Sequence, residues 1–296
     1  MRIFVTGAPG FIGSALVPEL IQAGHQVLGL TRSEEGAEKL RRAGAEVLHG
    51  NIEDLDSLRR GAADSDGVIH LAFNHDFSQF QKNADDDRKA IVAMGEVLLR
   101  SHRPFVITSG TAIAANVDGK PSTEDGPTAS WNPRAASEAA VKELTARGVN
   151  TSVVRLPQVH DTRKQGLVPY LLAVAREKGV SAYIGDGSNR WPAAHVSDVA
   201  RLYRLAFEKA EPGEIYHAVD EEGVSMKAIV EAHGRGLKVP VISIRLEEAE
   251  AHFGWLARFA GHDMPASGAT TQQMLNWKPT GPGLIADLDG MNYTHV

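Results

Sequence analysis

The stretch "RIFVTGAPGFIGSALVPEL", residues 2–20, constrains the fold more than any other part of this chain. A short β-prone run ends at Gly7, and a helical pattern follows from Phe11 to Ala23, with Gly24 as its stop. Between them Gly7, Gly10 and Gly13 give the spacing GxxGxxG. Glycine at these places lets the chain turn tightly, lets the backbone approach a diphosphate, and lets the helix pack close to the strand. The N-terminus of the helix then offers free N–H groups and a positive dipole end. The spacing therefore points to a dinucleotide; the plainer reading is a tight structural turn. Pro18 removes a backbone donor inside the helical run, so a kink is expected there.

The pattern continues in alternation. "QVLGLT" is followed by a helix around Glu34 to Ala43, "AEVLHG" by one around Leu55 to Gly61, "GVIHLAF" by a long one around Phe80 to Arg100, and "PFVITSG" leads on. "TSVVRLP" and "EIYHAV" read as further strands, the first after a helix carrying "AASEAAVKEL", which Asn132 and Pro133 open as N-cap and N1. Alternating strands and helices with right-handed crossovers predict an α/β fold, a Rossmann-type doubly wound parallel sheet. Gly/Pro turns such as "IGDGSNRWP" and "WKPTGPG" mark a smaller C-terminal substrate lobe. The expected division is 1–158 plus about 190–222 for the dinucleotide domain, and about 159–189 plus 223–296 for the lobe.

Composition narrows the partners. The 296 residues carry a net charge of −6, which disfavours non-specific nucleic-acid binding. With no cysteine there are no disulfides and no thiolate metal sites. No HExxH cluster and no GxSxG elbow is present, so neither a metal nor a serine nucleophile is expected. No apolar run approaches a membrane span, and no signal peptide is read at Met1. A soluble cytoplasmic protein with a small-molecule substrate is the expectation.

At the end of the second strand an acidic residue would hold a ribose 2′-hydroxyl and select NAD. Thr31, Arg32 and Ser33 stand there instead. A guanidinium beside hydroxyls suits a 2′-phosphate, so NADP(H) is preferred over NAD(H). The competing reading makes Arg32 a solvated residue and Ser33 a helix N-cap.

With these motifs in order, the chain resembles the extended short-chain dehydrogenase/reductase family, the NAD-dependent epimerases and dehydratases. "VTGAPGFIGS" is similar to its first turn, "GNIEDLDSL" to its adenine-contacting segment, "VIHLAF", "VITSG" and "VVRLPQVHD" to its fourth, fifth and sixth strands. "RWPAAHVSDVARLYRLAFE" and "LNWKPTGPGLIADLDGMNY" resemble its later segments. The resemblance implies coenzyme contacts at Gly7, Ala8, Gly10, Phe11, Ile12, Gly13, Asn51, Ile52, Leu71, Ala72, Phe73, Thr108, Leu156, Pro157 and Val159. It also implies a homodimer through the helices around Phe80–Arg100 and Ala135–Ala146, though the sequence leaves a monomer open.

The family's chemistry rests on a Ser/Thr, a Tyr and a Lys, the last two four residues apart on one helix. Here Arg134 holds the Tyr place and Glu138 the Lys place, while Ser109 and Thr111 compete for the Ser/Thr place. Glu138 could accept hydrogen bonds from ribose hydroxyls, and Arg134 could polarise a carbonyl or clamp a carboxylate. Arginine is a poor proton donor, so another group must act. The plain alternative is an exposed i,i+4 ion pair between the two. Asn74, His75 and Asp76 after the fourth strand, and His160 and Asp161 after the sixth, lie where ligands bind in such sheets. Trp191 could wall a pocket or fill a core; His195 more plausibly orders a returning segment. Three functions follow from this pattern: an NADP(H)-dependent oxidoreductase acting on a small carbonyl or related unsaturated compound, a sugar-nucleotide epimerase or dehydratase, and a non-catalytic NAD(P) sensor.

Overall fold

A computed structural model describes residues 1–114, 116, 119–128 and 132–294; the side chain of Phe77 is not described. The first half runs β1 (Arg2–Thr6), α1 (Phe11–Gln22), β2 (Gln26–Thr31), α2 (Glu34–Arg42), β3 (Glu46–His49), α3 (Leu55–Ala63), β4 (Gly67–His70), α4 (Phe80–Val97) and β5 (Phe105–Gly110). Next come α5 (Ala135–Ala146), β6 (Thr151–Leu156), β7 (Gln158–His160), α6 (Val168–Lys178), β8 (Ser181–Ile184), β9 (Arg190–His195) and α7 (Val196–Lys209). Then follow β10 (Ile215–His217), β11 (Glu221–Ser225), α8 (Met226–Leu237) and β12 (Val241–Ile244), before short helices that include Ala269–Leu275 and Leu284–Asp289.

Seven strands form one parallel sheet in the order β10-β6-β5-β4-β1-β2-β3. The order reverses between β1 and β4, which opens a crevice at the carboxyl edge. Apolar residues cover both faces, as a doubly wound sheet demands. On one face Ile3, Val5, Ile69, Val106 and Val154 meet Leu16 and Leu20 of α1 and Leu202, Tyr203 and Phe207 of α7. On the other, Phe4, Val68, Phe105 and Ile107 meet Leu58 of α3, Ile91 and Met94 of α4 and Leu144 of α5. Burying each such side chain contributes about 1.5–3 kcal/mol.

Local chemistry sets the helix ends. Ser33 Oγ accepts from Gly36 N at 3.1 Å to open α2, and Asp54 Oδ1 accepts from Ser57 N at 3.1 Å to open α3. Pro18 lies inside α1 without ending it. The long helix stops at Val97, short of the expected Arg100, and Arg100 itself turns to a φ of +60°. α5 starts later than expected: Asn132 Oδ1 accepts from Arg134 N at 3.1 Å, so Asn132 and Pro133 form a preceding turn and Arg134 is the N-cap.

The expected sixth strand is two strands. Pro157 has no N–H to give to a ladder, and it divides "VVRLPQVHD" into β6 of the large sheet and β7 of another. β7 and β11 flank β9 in a three-stranded sheet, and β8 pairs with β12. Residues 190–195 pair with β7 and β11, and Trp191 packs in a second core with Ile229, Phe253 and Leu284. The lobe's tail is clasped to α7: Asp198 accepts from Thr280 N at 3.0 Å and Gly281 N at 2.7 Å, and Trp277 Nε1 donates to the Asp198 carbonyl at 3.0 Å. Among the described residues no helix is long and apolar enough to cross a membrane.

Candidate active site

Gly7, Gly10 and Gly13 build the turn from β1 to α1. Gly7 has a φ of +67°, and a Cβ on Gly13 would lie 2.4 Å from the carbonyl oxygens of Gly7 and Ala8. Neither place takes a side chain without moving backbone. Gly10 is the N-cap of α1 and offers no side-chain cap, which leaves the first N–H groups of the helix for a ligand or solvent. The turn walls a cleft of about 550 Å³, also lined by Thr31, Arg32, Ser33, Asn51, Ile52, Ala72, Phe73, Asn74 and His75. That size suits a small ligand. Arg32 is exposed on the wall and has no ion-pair partner among the described residues. Asn51 Oδ1 is occupied locally, accepting from Glu53 N at 2.8 Å and Asp54 N at 3.1 Å. Asn74 Oδ1 likewise accepts from Asp76 N at 3.1 Å.

Beside the cleft, a buried polar band crosses the α4–α5 face of the sheet. Thr6 and His70 are register partners, as are Ser109, Arg155 and His217 across β5, β6 and β10. Thr6 Oγ1 accepts from Ala72 N at 3.2 Å and lies 2.6 Å from His70 Nδ1. The Asp87 carboxylate only accepts, so His70 Nε2 donates to its Oδ1 at 3.1 Å. Ser137 Oγ donates to Asp87 Oδ2 at 2.5 Å, and Arg134 Nη1 lies 3.2 Å from the same oxygen. Burial opposes the charge of Asp87, but the Arg134 cation and the hydrogen bonds from His70 and Ser137 outweigh it and hold the carboxyl below its usual 3.8.

Arg134 is pinned on three sides. Its Nη2 donates to the Thr108 carbonyl at 2.7 Å, and its guanidinium carbon lies 3.9 Å from the centre of the Phe73 ring. The third contact is Asp87, where Nη1 lies off the hydrogen-bonding angle, so this buried nitrogen lacks a hydrogen-bond partner among the described residues. Glu138 faces a different cation. Arg155, 1% exposed, donates from Nε and Nη2 to the two Glu138 oxygens, each at 2.8 Å. Arg155 Nη1 also donates to His217 Nε2 at 3.2 Å, while His217 Nδ1 donates to the Ser267 carbonyl at 2.9 Å. Burial lowers the His217 pKa from 6.5, against the pull of Glu124 and with help from Arg155.

These contacts correct one expectation. Arg134 and Glu138 do not form an exposed ion pair; each is half-buried against its own partner on another element. Each Glu138 oxygen accepts one hydrogen bond from Arg155, which ties α5 to β6. Thr111 Oγ1 donates to the Leu156 carbonyl at 3.3 Å, whereas the 3% exposed Ser109 has no partner for its Oγ among the described residues.

Other expected residues pack into a core or bond locally. Ala8 and Val159 are enclosed in the first core, against which Phe11, Ile12, Leu71 and Leu156 also pack. Thr108 turns its hydroxyl to the His70 carbonyl and Tyr203 Oη, both at 2.7 Å. Pro157 marks the break between β6 and β7. Trp191 is core, with Nε1 donating to the Phe259 carbonyl at 3.3 Å. His160 is wholly buried, its Nδ1 2.6 Å from Asp287 Oδ2, and it pins the helix Leu284–Asp289 rather than facing a substrate. His195 caps α7. Only His75 of the expected histidines faces the cleft, edge-on to Phe73 at 5.4 Å.

The chain matches the NAD dependent epimerase/dehydratase family over residues 3–219. It belongs to that family. An uncharacterized protein of Schizosaccharomyces pombe is 50% identical over 290 residues, spanning 97% of this chain and 98% of the relative. The 4-hydroxy-2-methyl-3-oxo-4-farnesyl-3,4-dihydroquinoline-1-oxide ketoreductase of Stigmatella aurantiaca is 28% identical over 86% of this chain and 80% of its own. A crystal structure of dTDP-glucose 4,6-dehydratase from Streptomyces venezuelae, with NAD bound, superposes with a TM-score of 0.78 at 19% identity, covering 99% of this chain and 96% of that one. At that identity the likeness shows the fold alone.

The NAD dependent epimerase/dehydratase family comprises NAD(P)-dependent oxidoreductases and epimerases, and this chain has the glycine turn to hold such a coenzyme. Sequence reasoning missed Asp87, His70 and Arg155. Arg155 left a signal: a charge inside the apolar run "SVVRL" demands a buried partner. Asp87 left none, being one of three consecutive aspartates of which only this one is wholly enclosed.

Proposed function

We propose that this protein is an NADP(H)-dependent oxidoreductase acting on a small carbonyl compound. The observation that carries the reading is the Arg134 guanidinium, fixed by the Thr108 carbonyl, Phe73 and Asp87 in the place where the family resemblance puts a proton donor. A fixed cation there holds the oxygen of a carbonyl as negative charge develops on it, without having to reorganise. The unpartnered Ser109 Oγ supplies a second hydrogen bond, which favours Ser109 over Thr111. The coenzyme, when bound, supplies or receives the hydride. The glycine turn holds its diphosphate, and Arg32 with Ser33 holds a 2′-phosphate. Ser33 caps α2, yet a hydroxyl that accepts from Gly36 N can still donate to phosphate. The name of the Stigmatella relative, a ketoreductase, supports carbonyl reduction. The alkoxide left by hydride addition takes its proton from solvent water, since an arginine does not provide one.

Calorimetry with NADPH and NADH on the whole chain and on Arg32→Ala tests the coenzyme. We expect Arg32→Ala to weaken NADPH by about tenfold or more and NADH by less than about twofold. Equal losses would remove the NADP(H) assignment. Oxidation of NADPH with an aldehyde and ketone panel, abolished by Arg134→Met, tests the chemistry.

A further inference from the structure

The anion that faces Arg134 is itself held by a buried histidine. Asp87 is 1% exposed, and its two oxygens have different partners. Oδ2 accepts from Ser137 Oγ at 2.5 Å and has Arg134 Nη1 at 3.2 Å. Oδ1 has one hydrogen-bond partner among the described residues, His70 Nε2 at 3.1 Å. A carboxylate held at one oxygen can swing about that bond. The bond from His70 to the other oxygen fixes its plane, and so fixes where Arg134 meets it.

His70 is anchored in turn. Its Nδ1 lies 2.6 Å from Thr6 Oγ1, which accepts from Ala72 N at 3.2 Å. A buried imidazole is costly unless both nitrogens are used, and here one faces β1 and the other faces α4. Ala72 and Phe73 line the cleft, and the Phe73 ring carries the Arg134 guanidinium at 3.9 Å. The contacts therefore close a ring through Ala72, Thr6, His70, Asp87, Arg134 and Phe73. A second route joins the same two residues: the His70 carbonyl accepts from Thr108 Oγ1 at 2.7 Å, and the Thr108 carbonyl accepts from Arg134 Nη2 at 2.7 Å. Only the first route runs through the imidazole. His70 is 1% exposed and is not part of the cleft wall, so it acts on the site through other residues.

We propose that His70 is a positioning residue: through Asp87 it sets the Arg134 guanidinium over Phe73, at the edge of the coenzyme cleft. Its effect on turnover rests on the oxidoreductase reading above; the placement of Arg134 is measured without it.

Two variants separate the two ends of the imidazole. His70→Gln carries an amide N–H far enough out to reach Asp87, whereas His70→Asn reaches only Thr6. NADPH oxidation by the full-length protein is followed with the aldehyde or ketone that wild type reduces fastest. We expect His70→Asn to lower kcat about tenfold or more with the KM for NADPH within about twofold, and His70→Gln to recover kcat to within about threefold of wild type. Equal kcat in the two variants overturns the proposal. A loss of unfolding stability with kcat unchanged also overturns it, by assigning His70 a purely structural role. Should His70→Asn not fold, a folded His70→Gln whose kcat falls by more than about threefold overturns it alone. The NMR signals of the two Arg134 Nη nitrogens report placement without turnover. Separate signals, from a held guanidinium, are expected in wild type and His70→Gln, and one averaged signal in His70→Asn. Separate signals in all three proteins overturn the proposal whatever the activity. Averaging in His70→Asn alone, with no carbonyl compound reduced by wild type, sinks the oxidoreductase reading and keeps the positioning role.

Discussion

Glu138 accepts two hydrogen bonds of 2.8 Å from Arg155, a side chain only 1% exposed on β6, one strand in from the edge of the large sheet. Removing the carboxylate charge leaves a guanidinium buried without a counter-ion. Glu138→Gln should therefore lower unfolding stability by about 3–5 kcal/mol. Urea melts of the two proteins measure this, and a loss under about 1 kcal/mol would refute the pairing.

Asp87→Asn should cost about 3 kcal/mol, because Arg134 and His70 both lose their anion. The pH dependence has a definite sign. The folded chain holds the Asp87 proton less readily than the unfolded chain, whose carboxyl titrates near 3.8. The stabilisation is thus complete above that value and is lost as pH falls through the lower folded value. The stability gap between wild type and Asp87→Asn should narrow in acid; a gap that widens there contradicts the assignment.

Gly13→Ala places a methyl group 2.4 Å from two backbone carbonyl oxygens. The turn must open, and coenzyme affinity should fall by at least about tenfold while circular dichroism stays near wild type. Undiminished affinity would mean that the dinucleotide lies elsewhere.

His75 should titrate below 6.5 in an NMR experiment, since burial and the Arg134 and Lys164 cations disfavour its protonated form. Its folded state binds a proton less readily, so this group takes stability away as pH falls from above 6.5 towards its lowered value. Lys164→Met should move the midpoint upward. A midpoint that does not respond places the lysine too far from the cleft.

The large sheet was legible because its strands are apolar on both faces and its helices have clear stops. The glycine turn fixed the first crossover, and the cleft formed where Thr31, Arg32, Ala72 and Phe73 were expected. The smaller lobe was harder, since Pro157 ends one strand and begins another within a single apolar run. At the site, spacing on α5 brought Arg134 and Glu138 to notice, but their partners come from α4 and β6. Asp87 and Arg155 are 47 and 17 residues away from them in sequence, by subtraction of their numbers. Spacing on one helix carries no information about such contacts. Trp191 and His160 were ambiguous for the opposite reason: an aromatic or imidazole side chain suits a pocket wall and a sealed interior equally.

The two concealed ion pairs also work as a ratchet on sequence drift. A tyrosine arising at 134 strands the Asp87 carboxylate in a dry interior, and a lysine arising at 138 sets two cations side by side. A descendant regains the familiar pair only by changing both members of a couple together, so the departure is easier to inherit than to undo.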